Sequence, residues 1–555
     1  MKKRLFIKAL LLTLIFSSCS TNTSISNNTY SSESGTKTSS YNITNSSNTI
    51  SSDNVSSITS GTSSSEEANL VNVDIISIND THGYEYASAM DENFSLASFS
   101  YYVEQKRKLD NNNVVTIANG DMFQGTAFSN LSYGLSAINA LNEVGFDMMG
   151  IGNHEFDWTL DKILNYFDGD LSNGEANFPL INGNVRDRAI NNERIGESNL
   201  NDNIVPYKII EKDNIKVGLL SYIGDQTNDI CANKFGTYYI DCHGDYDTSF
   251  LNVVLNDAKK VKELGADVIV LNIHDGNYDG IDKLNYNQEF AKMKNDDGKY
   301  LIDAVINGHT HTKQYGEIKR TGGTPLPVVQ ASANCNGFGE INLTYDKTSK
   351  KVTSVSEDSY YLSDKVNVDD KNQKVQQVLD EEYAKIKDQI SEVYVNSSYY
   401  ASKDKVGNYI SNIMRHYSSA DIAMINTGGI RSTLPEGDLT IEDLYKVNPF
   451  DNSLCYVKVL GSELTSFMAS NSSYYYFSSD ISTFEDNKYY NLITIDYVYY
   501  GSYFKNVFKN VVEVKVDNSM CGRDLMVLDL KSKKDVGFNI YNYTPTLESH
   551  PFPNI

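Results

Sequence analysis

Apolar and polar positions follow two different rhythms between residues 70 and 360. Short runs rich in β-branched residues, such as residues 71–78, 114–118 and 268–273, predict buried strands. Residues 96–109 and 251–264 instead repeat their apolar positions at helical spacing. Strands that alternate with helices in this way predict an α/β domain.

A polar cluster follows directly after a predicted strand at five places in this domain. The clusters supply eight candidate side chains, which are Asp80, His82, Asp121, Asn153, His154, His274, His309 and His311. Most of the eight histidines of the chain lie in these clusters, which scattered placement would not produce. Because loops at the carboxyl ends of strands converge on one crevice, the clusters predict a single site.

The chemistry of these side chains favours metal ions. Imidazole together with carboxylate and amide oxygens suits Zn, Mn, Fe, Co or Ni, whereas a site of oxygens alone would suit Mg or Ca. The set exceeds the usual demand of one ion and fits two divalent ions about 3.5–4 Å apart that share a bridging carboxylate. Such a pair activates a water as hydroxide and neutralises phosphoryl oxygens, so no serine or cysteine nucleophile is required.

The hexapeptide 152–157 is the densest of the five clusters. Asp157 lies three residues after His154, so the two side chains can meet if a helical turn begins here. For Glu155 the sequence indicates only a carboxylate at a helix start, facing the helix dipole. The alternative for the whole hexapeptide is a polar helix start without catalytic chemistry.

Residues 1–19 predict a lipoprotein signal peptide. A basic start precedes a mostly apolar run, which is too short for a confident membrane span. Two serines before Cys19 resemble the lipobox of bacterial lipoproteins, although Phe16 stands where leucine is usual. We expect lipidation of Cys19, with an ordinary signal peptide as the alternative. Residues 20–68 are rich in Ser, Thr and Asn and predict a disordered tether.

The motifs Asp-x-His-Gly, Asn-Gly-Asp, Gly-Asn-His-Glu-Phe-Asp, His-x-Gly and Gly-His-x-His occur in this order along the chain. Together they resemble the motifs of the calcineurin-like metallophosphoesterase superfamily. The exact residues at positions 79–83 and 152–157 are similar to the motifs of its bacterial 5′-nucleotidase / UDP-sugar hydrolase family. This resemblance implies a four-layered αββα metallophosphoesterase domain, which we place at residues 69–362.

The resemblance also implies a role for each candidate side chain. It implies two sets of three ligands joined by a bridging Asp121, namely Asp80, His82 and His311 for one ion and Asn153, His274 and His309 for the other. His154 would then be a catalytic residue that stabilises the transition state or assists the leaving group, oriented by Asp157. A histidine held by a neighbouring carboxylate agrees with general acid–base chemistry.

The remainder of the chain predicts a linker and a smaller domain. Residues 363–395 contain a charged amphipathic helix that we interpret as a linker, the alternative being an extra surface helix of the first domain. Residues 396–555 resemble a divergent form of the family's C-terminal α/β substrate-binding domain. The substrate contacts that this resemblance implies are Gly428, Gly429, Arg431, Phe450, Asn452 and Tyr497. Two aromatic rings, one on each face of a base, would hold the nucleotide.

This second domain departs from the family pattern. The expected aspartate is missing near residues 501–503, and the segment before the first helix carries only Lys403 and Lys405 where the family has arginines. Residues 505–555 show no readable pattern. These departures weaken the expectation of a standard nucleotide site.

The formal net charge is −24, which argues against binding a nucleic-acid polymer through a basic surface. We therefore expect an exported, membrane-anchored dinuclear 5′-nucleotidase that releases phosphate from nucleoside 5′-monophosphates. The alternatives are a metallophosphoesterase for a 2′,3′-cyclic nucleotide, a UDP-sugar or another phosphate ester, and a non-catalytic surface-binding lipoprotein. Export permits a disulfide between Cys231 and Cys242, and two reduced thiols fit equally well. The oligomeric state is left open.

Overall fold

The computed structural model of the chain describes residues 69–87, 93–109, 113–197, 203–225, 234–244 and 247–551. The predicted signal peptide with Cys19, the predicted tether and Cys231 lie outside the described residues. Within the described part, no helix has both the length and the apolar composition needed to cross a bilayer.

Two sheets form the centre of the first domain. The first sheet has the strand order Lys351–Tyr361, Gly337–Asp346, Leu70–Ile78, Val114–Asn119, Met148–Gly150, Leu180–Ile181, Ile204–Val205. The second sheet has the order Gln314–Ile318, Leu326–Gln330, Ala304–Asn307, Val268–His274, Ile215–Ile223, Tyr207–Lys212. A small third sheet has the order Tyr238–Ile240, Val185–Asp187, Glu193–Arg194. The strands that precede the polar clusters pair in parallel within each sheet, so their carboxyl ends share one edge.

The two large sheets pack face to face through alternate residues of their strands. Val73 and Ile75 belong to the core between the sheets, together with Val217 of the second sheet. Ile76 and Ile78 of the same strand belong instead to the core beneath the helices. Successive side chains of a strand point to opposite faces, so a strand buried on both faces reads as one continuous apolar run.

Helices cover the outer faces of both sheets. They are Leu96–Leu109, Ala127–Asn130, Leu135–Val144, Leu160–Leu164, Thr248–Glu263 and Asn285–Phe290. Asp247 caps one of them, because its side chain accepts hydrogen bonds from the backbone N–H groups of Ser249 and Phe250. Short 3-10 helices lie at His154–Phe156, Asn165–Phe167, Arg188–Ile190, Leu362–Asp364 and Thr427–Gly429. The layer order helix, sheet, sheet, helix confirms the predicted αββα fold.

The second domain is a smaller α/β unit, as predicted. Its main sheet has the strand order Tyr475–Ser479, Ile422–Asn426, Tyr489–Ile495, Leu454–Leu460, Glu513–Asp517, and Val393–Ser397 pairs with Gly437–Thr440. Its helices are Lys403–Ser418, Ile441–Val447, Gly461–Asn471, Asp496–Tyr500, Ser502–Val507 and Gly522–Lys531. The stretch 505–555, which showed no readable pattern, therefore contributes one strand, one helix and the end of the helix Ser502–Val507 in the described part of the chain.

The helix Gln373–Ile390 connects the two cores. Val375 and Leu379 belong to the core of the first domain, whereas Ile390 belongs to the core of the second. The two domains also touch near the site, where Asn130 Nδ2 donates to the carbonyl oxygen of Pro449 at 2.8 Å.

Candidate metal centre and substrate cavity

The five polar clusters meet at the edge where the parallel strands of both sheets end. The strands Leu70–Ile78, Val114–Asn119 and Met148–Gly150 lead into three clusters from the first sheet. Val268–His274 and Ala304–Asn307 lead into the other two from the second sheet. Residues more than two hundred positions apart in sequence thus become neighbours.

Three imidazole nitrogens converge on one oxygen of Asp80. Its Oδ1 lies 3.4 Å from His311 Nε2, 3.9 Å from His274 Nε2 and 4.0 Å from His82 Nε2. Asp80 is fully buried, and this oxygen has no hydrogen-bond partner among the described residues. A buried carboxylate oxygen surrounded at these distances has room for a cation between it and the imidazoles.

Asp121 lies between two groups of ligating atoms. Its Oδ2 is 3.1 Å from His274 Nε2 and 4.0 Å from His82 Nε2. Two sets have ligand atoms that all lie within 4.8 Å of one another, namely Asp80, His82, Asp121 and His311, and Asp121, His274 and His309. Asp121 belongs to both sets. Asn153 adds an amide oxygen beside the second set, with its Oδ1 2.8 Å from His309 Nδ1.

Backbone carbonyl groups fix the tautomers of two of the histidines. His82 Nδ1 lies 2.9 Å from the carbonyl oxygen of Gln124, and His274 Nδ1 lies 2.7 Å from that of Asn119. A carbonyl oxygen can only accept, so each Nδ1 carries the proton. The Nε2 lone pair of a neutral imidazole then faces the carboxylates, as metal coordination requires.

Burial keeps some of these imidazoles neutral. Burial, with the charge of His154 and His311, lowers the pKa of His82 well below its ordinary value. Burial and His274 lower the pKa of His309 to about 4. Burial disfavours the charged form of Asp121 as well, but His274 and His154 outweigh it and hold the pKa of Asp121 low. His82 and His309 are therefore neutral donors, whereas Asp121 and Asp80 outweigh burial and raise the pKa of His274 to about 10, so His274 would release a proton on binding a divalent ion.

The distances in the cluster fit such ions. Metal–nitrogen bonds of about 2.0–2.1 Å place two ligand atoms about 3.3 Å apart at a tetrahedral angle and about 4 Å apart across the ion. The separations of 3.4 to 4.0 Å around Asp80 Oδ1 match this spacing. In the metal-free protein the His274 imidazole compensates the charge of Asp121 at 3.1 Å, and a bound cation would take over that role.

The backbone at the cluster is held in a conformation that side chains seldom adopt. Asp80, His82, Asp121, His309 and His311 all have positive φ angles, between 51° and 73°. They are five of the thirteen non-glycine residues with this property in the described part of the chain. Left-handed backbone at non-glycine residues concentrates at functional sites, where the surrounding structure enforces it.

His154 is held by Asp157, as the spacing in the sequence predicts. The Nδ1 atom of His154 lies 2.8 Å from Asp157 Oδ2. The short helix His154–Phe156 brings them together, because Asp157 directly follows its single turn. Burial disfavours the charged imidazole, but Asp157 and Asp121 outweigh burial and raise the pKa of His154. His154 also lines the cavity described below, so it is placed to meet a ligand with its second nitrogen.

Glu155 has a different place from the one that the sequence indicates. Instead of only facing the helix dipole, its side chain is completely buried and accepts three backbone hydrogen bonds. The donors are the N–H groups of Asp121 at 2.8 Å, Met122 at 2.9 Å and Gly152 at 2.6 Å. Glu155 thus ties the loop that carries Asp121 to the loop that carries Asn153.

Gly152 permits this close approach of the two loops. A Cβ at this position would come within 2.3 Å of Asp121 Oδ1 and 2.8 Å of His274 Cε1. Any larger residue would displace both side chains. The glycine before the Asn-His pair is therefore required by the packing of the site.

A cavity of about 260 Å³ joins this centre to the second domain. From the cluster it is lined by Asp121, Asn153, His154, Asp157, His309 and His311. All six substrate contacts predicted from the sequence line it from the second domain, namely Gly428, Gly429, Arg431, Phe450, Asn452 and Tyr497. The Phe450 ring lies 5.7 Å from the His154 ring, and the Arg431 guanidinium lies 5.1 Å from the Phe450 ring.

Four further lining residues escape prediction from the sequence, and they are Lys234, Tyr278, Thr310 and Asn426. Lys234 pairs with Asp496 of the second domain at 3.4 Å. No motif marks Lys234 or Tyr278, since both lie on loops of the first domain. Asn426 directly precedes the Gly-Gly-Ile-Arg segment, and that adjacency is a signal that could have identified it.

Two family models match the chain. Residues 73–313 match the calcineurin-like phosphoesterases, and residues 383–499 match the 5′-nucleotidase C-terminal domain. The chain therefore contains a region similar to the calcineurin-like phosphoesterases, followed by a region similar to the 5′-nucleotidase C-terminal domain. The two matched regions follow one another in the order that the sequence predicts for the two domains.

The chain is also similar to individual proteins. The chain is 27% identical over 394 residues to a snake venom 5′-nucleotidase from Crotalus adamanteus, covering 63% of this chain and 60% of that protein. It is 25% identical over 460 residues to cell wall protein Lmo0130 of Listeria monocytogenes serovar 1/2a, covering 73% of this chain and 56% of that protein. It thus spans less than two thirds of either relative. The crystal structure of a 5′-nucleotidase precursor from Thermus thermophilus shares the fold, with a TM-score of 0.66 at 18% identity over 86% of this chain and 99% of that one.

Proposed function

We propose that the protein is an exported 5′-nucleotidase that holds two divalent metal ions and releases phosphate from nucleoside 5′-monophosphates. The observation that supports this proposal best is the shared cavity. One wall carries the cluster of imidazoles and carboxylates, and the opposite wall carries an arginine, two aromatic rings and an asparagine. A phosphate ester with a large planar group would place its phosphate at the first wall and its planar group at the second.

The proposed ligands are Asp80, His82 and His311 for one ion, Asn153, His274 and His309 for the other, and Asp121 for both. When bound, two such ions lower the pKa of a water and neutralise phosphoryl oxygens. The protein holds these metal-ligand side chains in place before an ion binds. Two backbone carbonyls orient His82 and His274, and Glu155 holds the loop that carries Asp121.

His154 is the proposed catalytic residue on the substrate side. Because Asp157 occupies its Nδ1, the Nε2 atom is the nitrogen that can reach a substrate. A raised pKa favours the protonated imidazole, which can donate a hydrogen bond to a phosphoryl oxygen or a proton to the leaving ester oxygen. Asp157 positions the ring and stabilises its charge.

Phe450 and Tyr497 are the proposed platforms for the base, and Arg431 is the proposed partner of a phosphate or ribose oxygen. Phe450 already contacts the Arg431 guanidinium and lies near the His154 ring. A base stacked on Phe450 would therefore lie close to the reacting centre. This favours a compact substrate, in which a single phosphate links the base-bearing sugar to the metal cluster.

We also propose that the protein acts outside the cytoplasm, held to the cell membrane by a lipid on Cys19. The basic and apolar leader supports export, and the similar Listeria protein is named a cell wall protein. Labelled fatty acid should enter the wild-type protein in a bacterial host but not the Cys19→Ser variant. Equal labelling of both would exclude the anchor.

A second candidate function is hydrolysis of a different phosphate ester, such as a 2′,3′-cyclic nucleotide or a UDP-sugar. The observation that favours it is the absence of an aspartate near residues 501–503, beside the base platform proposed at Tyr497. The two functions share the metal centre and differ only in the second domain.

The deciding experiment measures phosphate release from a panel of nucleoside 5′-monophosphates, cyclic nucleotides and UDP-sugars, with metal content determined on the same sample. We expect about two ions per chain, loss of activity with a chelator and recovery with Mn or Co. Asp121→Ala and His154→Ala should abolish turnover, whereas His243→Ala, at an exposed histidine outside the cluster, should not. Full activity in either of the first two variants would exclude this mechanism.

A further inference from the structure

Lys234 of the first domain lines the substrate cavity and also contacts the second domain. Its Nζ lies 3.4 Å from Asp496 Oδ2. Of the ion pairs that the structure describes, this is the one that joins residues 69–362 to residues 396–555. The other oxygen of the same carboxylate, Asp496 Oδ1, accepts from Tyr497 N at 2.7 Å. Asp496 therefore connects Lys234 to the backbone of a proposed base platform.

This ion pair is largely shielded from water. The side chain of Asp496 is 6% exposed and that of Lys234 is 22% exposed. Burial raises the pKa of Asp496, and the ammonium of Lys234 opposes that shift. Loss of either partner would leave the other charge unpaired and poorly solvated, so the contact resists separation of the two segments.

The loop that carries Lys234 rests on the hexapeptide 152–157. The ring of Phe235, the next residue, lies 5.0 Å from the ring of Phe156 in an edge-to-face arrangement with an interplanar angle of 88°. Phe156 is fully buried within that hexapeptide. A series of contacts thus runs from the hexapeptide through Phe235 and Lys234 to the backbone of Tyr497.

Asn130 makes the corresponding connection to the other base platform, Phe450. Its Nδ2 donates to the carbonyl oxygen of Pro449 at 2.8 Å, and Pro449 directly precedes Phe450. Its Oδ1 accepts at 2.9 Å from the backbone N–H of Gly125, in the loop that begins at Asp121. Asn130 is only 6% exposed, so its amide is committed to these partners. Each platform is therefore preceded in sequence by a residue that a loop of the metal cluster holds.

We propose that Lys234 and Asn130 are positioning residues that set the distance between the metal cluster and the two base platforms, and so select nucleotides by their number of phosphates. The inference rests on the proposed function, since the platforms belong to it. A base held by Phe450 and Tyr497 presents a phosphate to the cluster only at one separation. The additional phosphate of a nucleoside diphosphate lengthens that separation, so its base and its terminal phosphate are not held together.

Kinetics of the full-length, metal-loaded protein with adenosine 5′-monophosphate, adenosine 5′-diphosphate and p-nitrophenyl phosphate test the proposal. Lys234→Met and Asp496→Asn each remove the ion pair, and the second variant keeps an acceptor for Tyr497 N. Each should raise KM for the monophosphate about three- to tenfold, as expected of one shielded ion pair, and lower its preference over the diphosphate. Neither should change kcat or KM for p-nitrophenyl phosphate. The double variant should lose no more than one single variant, and Lys234→Arg should restore the preference.

Asn130→Asp tests the second contact. It keeps an oxygen for Gly125 N but places a carboxylate oxygen opposite the carbonyl of Pro449, so we expect the same selective rise in KM. Two control variants make the same chemical changes at contacts that do not join the domains. Lys283→Met removes an exposed ion pair within the first domain, and Asn408→Asp removes an amide donor to a backbone carbonyl within one helix of the second. Both should leave all three substrates unchanged.

The proposal is overturned if the wild-type protein shows no preference for the monophosphate, or if the variants change all three substrates equally or none. Additive effects of Lys234→Met and Asp496→Asn would also overturn it. Calorimetric titration with both nucleotides in a His154→Ala background separates this result from the proposed function. A binding preference that falls in Lys234→Met, in a protein that hydrolyses no ester, would keep the positioning role and exclude the hydrolase. Hydrolysis with an unchanged preference would exclude the positioning role alone.

Discussion

Replacing Glu155 by glutamine should weaken metal binding without unfolding the protein. In the structure Glu155 Oε2 accepts from Asp121 N and Gly152 N, and Oε1 accepts from Met122 N. The amide of glutamine keeps one acceptor and turns the other into a donor. At least one buried N–H therefore loses its partner and faces another donor.

The magnitude follows from those contacts. An unsatisfied buried N–H costs about 1–3 kcal/mol, and the remaining bonds lose the help of the charge. In the metal-free protein an opposing effect is present, because burial and Asp121 raise the pKa of Glu155 to about 7 and make the carboxylate costly to bury. The neutral amide avoids that cost. We therefore expect little change in the stability of the metal-free protein and a loss of metal affinity of roughly ten- to a hundredfold.

The assay pairs a metal titration by calorimetry with urea unfolding of the metal-free protein, for wild type and Glu155→Gln. Glu143→Gln, at an exposed position of the helix Leu135–Val144, is the matched control and should leave both quantities unchanged. Unchanged metal affinity in Glu155→Gln would refute the reasoning. A large loss of stability in the metal-free protein with unchanged metal affinity would show a purely structural role.

Three further changes test other parts of the site. Gly152→Ala places a Cβ 2.3 Å from Asp121 Oδ1, so metal content should fall and urea unfolding should show a loss of about 1–3 kcal/mol; wild-type metal content would contradict this packing argument. Asp157→Asn should lower kcat at least about tenfold with little change in KM, because His154 loses its orienting carboxylate. A rise in KM alone would count against that role. Phe450→Leu should raise KM for nucleotides but not for p-nitrophenyl phosphate, and an equal rise for both would remove Phe450 as a base platform.

The candidate metal ligands can be predicted from the sequence because each one follows an apolar strand in a recognisable cluster. Asp80, Asp121 and His309 are the plainest cases, and the structure brings all three within one centre. The parallel strands explain this success, since their ends are bound to meet at one edge. The same pattern could not locate the left-handed backbone at these residues, which depends on contacts between loops.

Residues 505–555 show the opposite situation. The strand and the helix in this stretch show no clear hydrophobic periodicity in the sequence. Leu525 and Met526 are buried in a core that distant segments of the chain build, and the local sequence does not show this. Glu155 was misjudged for a similar reason. A carboxylate near a helix start has the same local sequence whether it faces solvent or receives three backbone donors from two loops.

By itself, the sequence determined the alternation of strands and helices, the order of the polar clusters and the kind of atoms they offer to a metal ion. These depend on local periodicity and on the chemistry of each side chain. Only the tertiary structure decided that Glu155 joins two loops and that Lys234 and Tyr278 line the cavity beside the candidate metal ligands. The physical reason is that these contacts join segments from different elements, and no local pattern encodes which distant surfaces will meet.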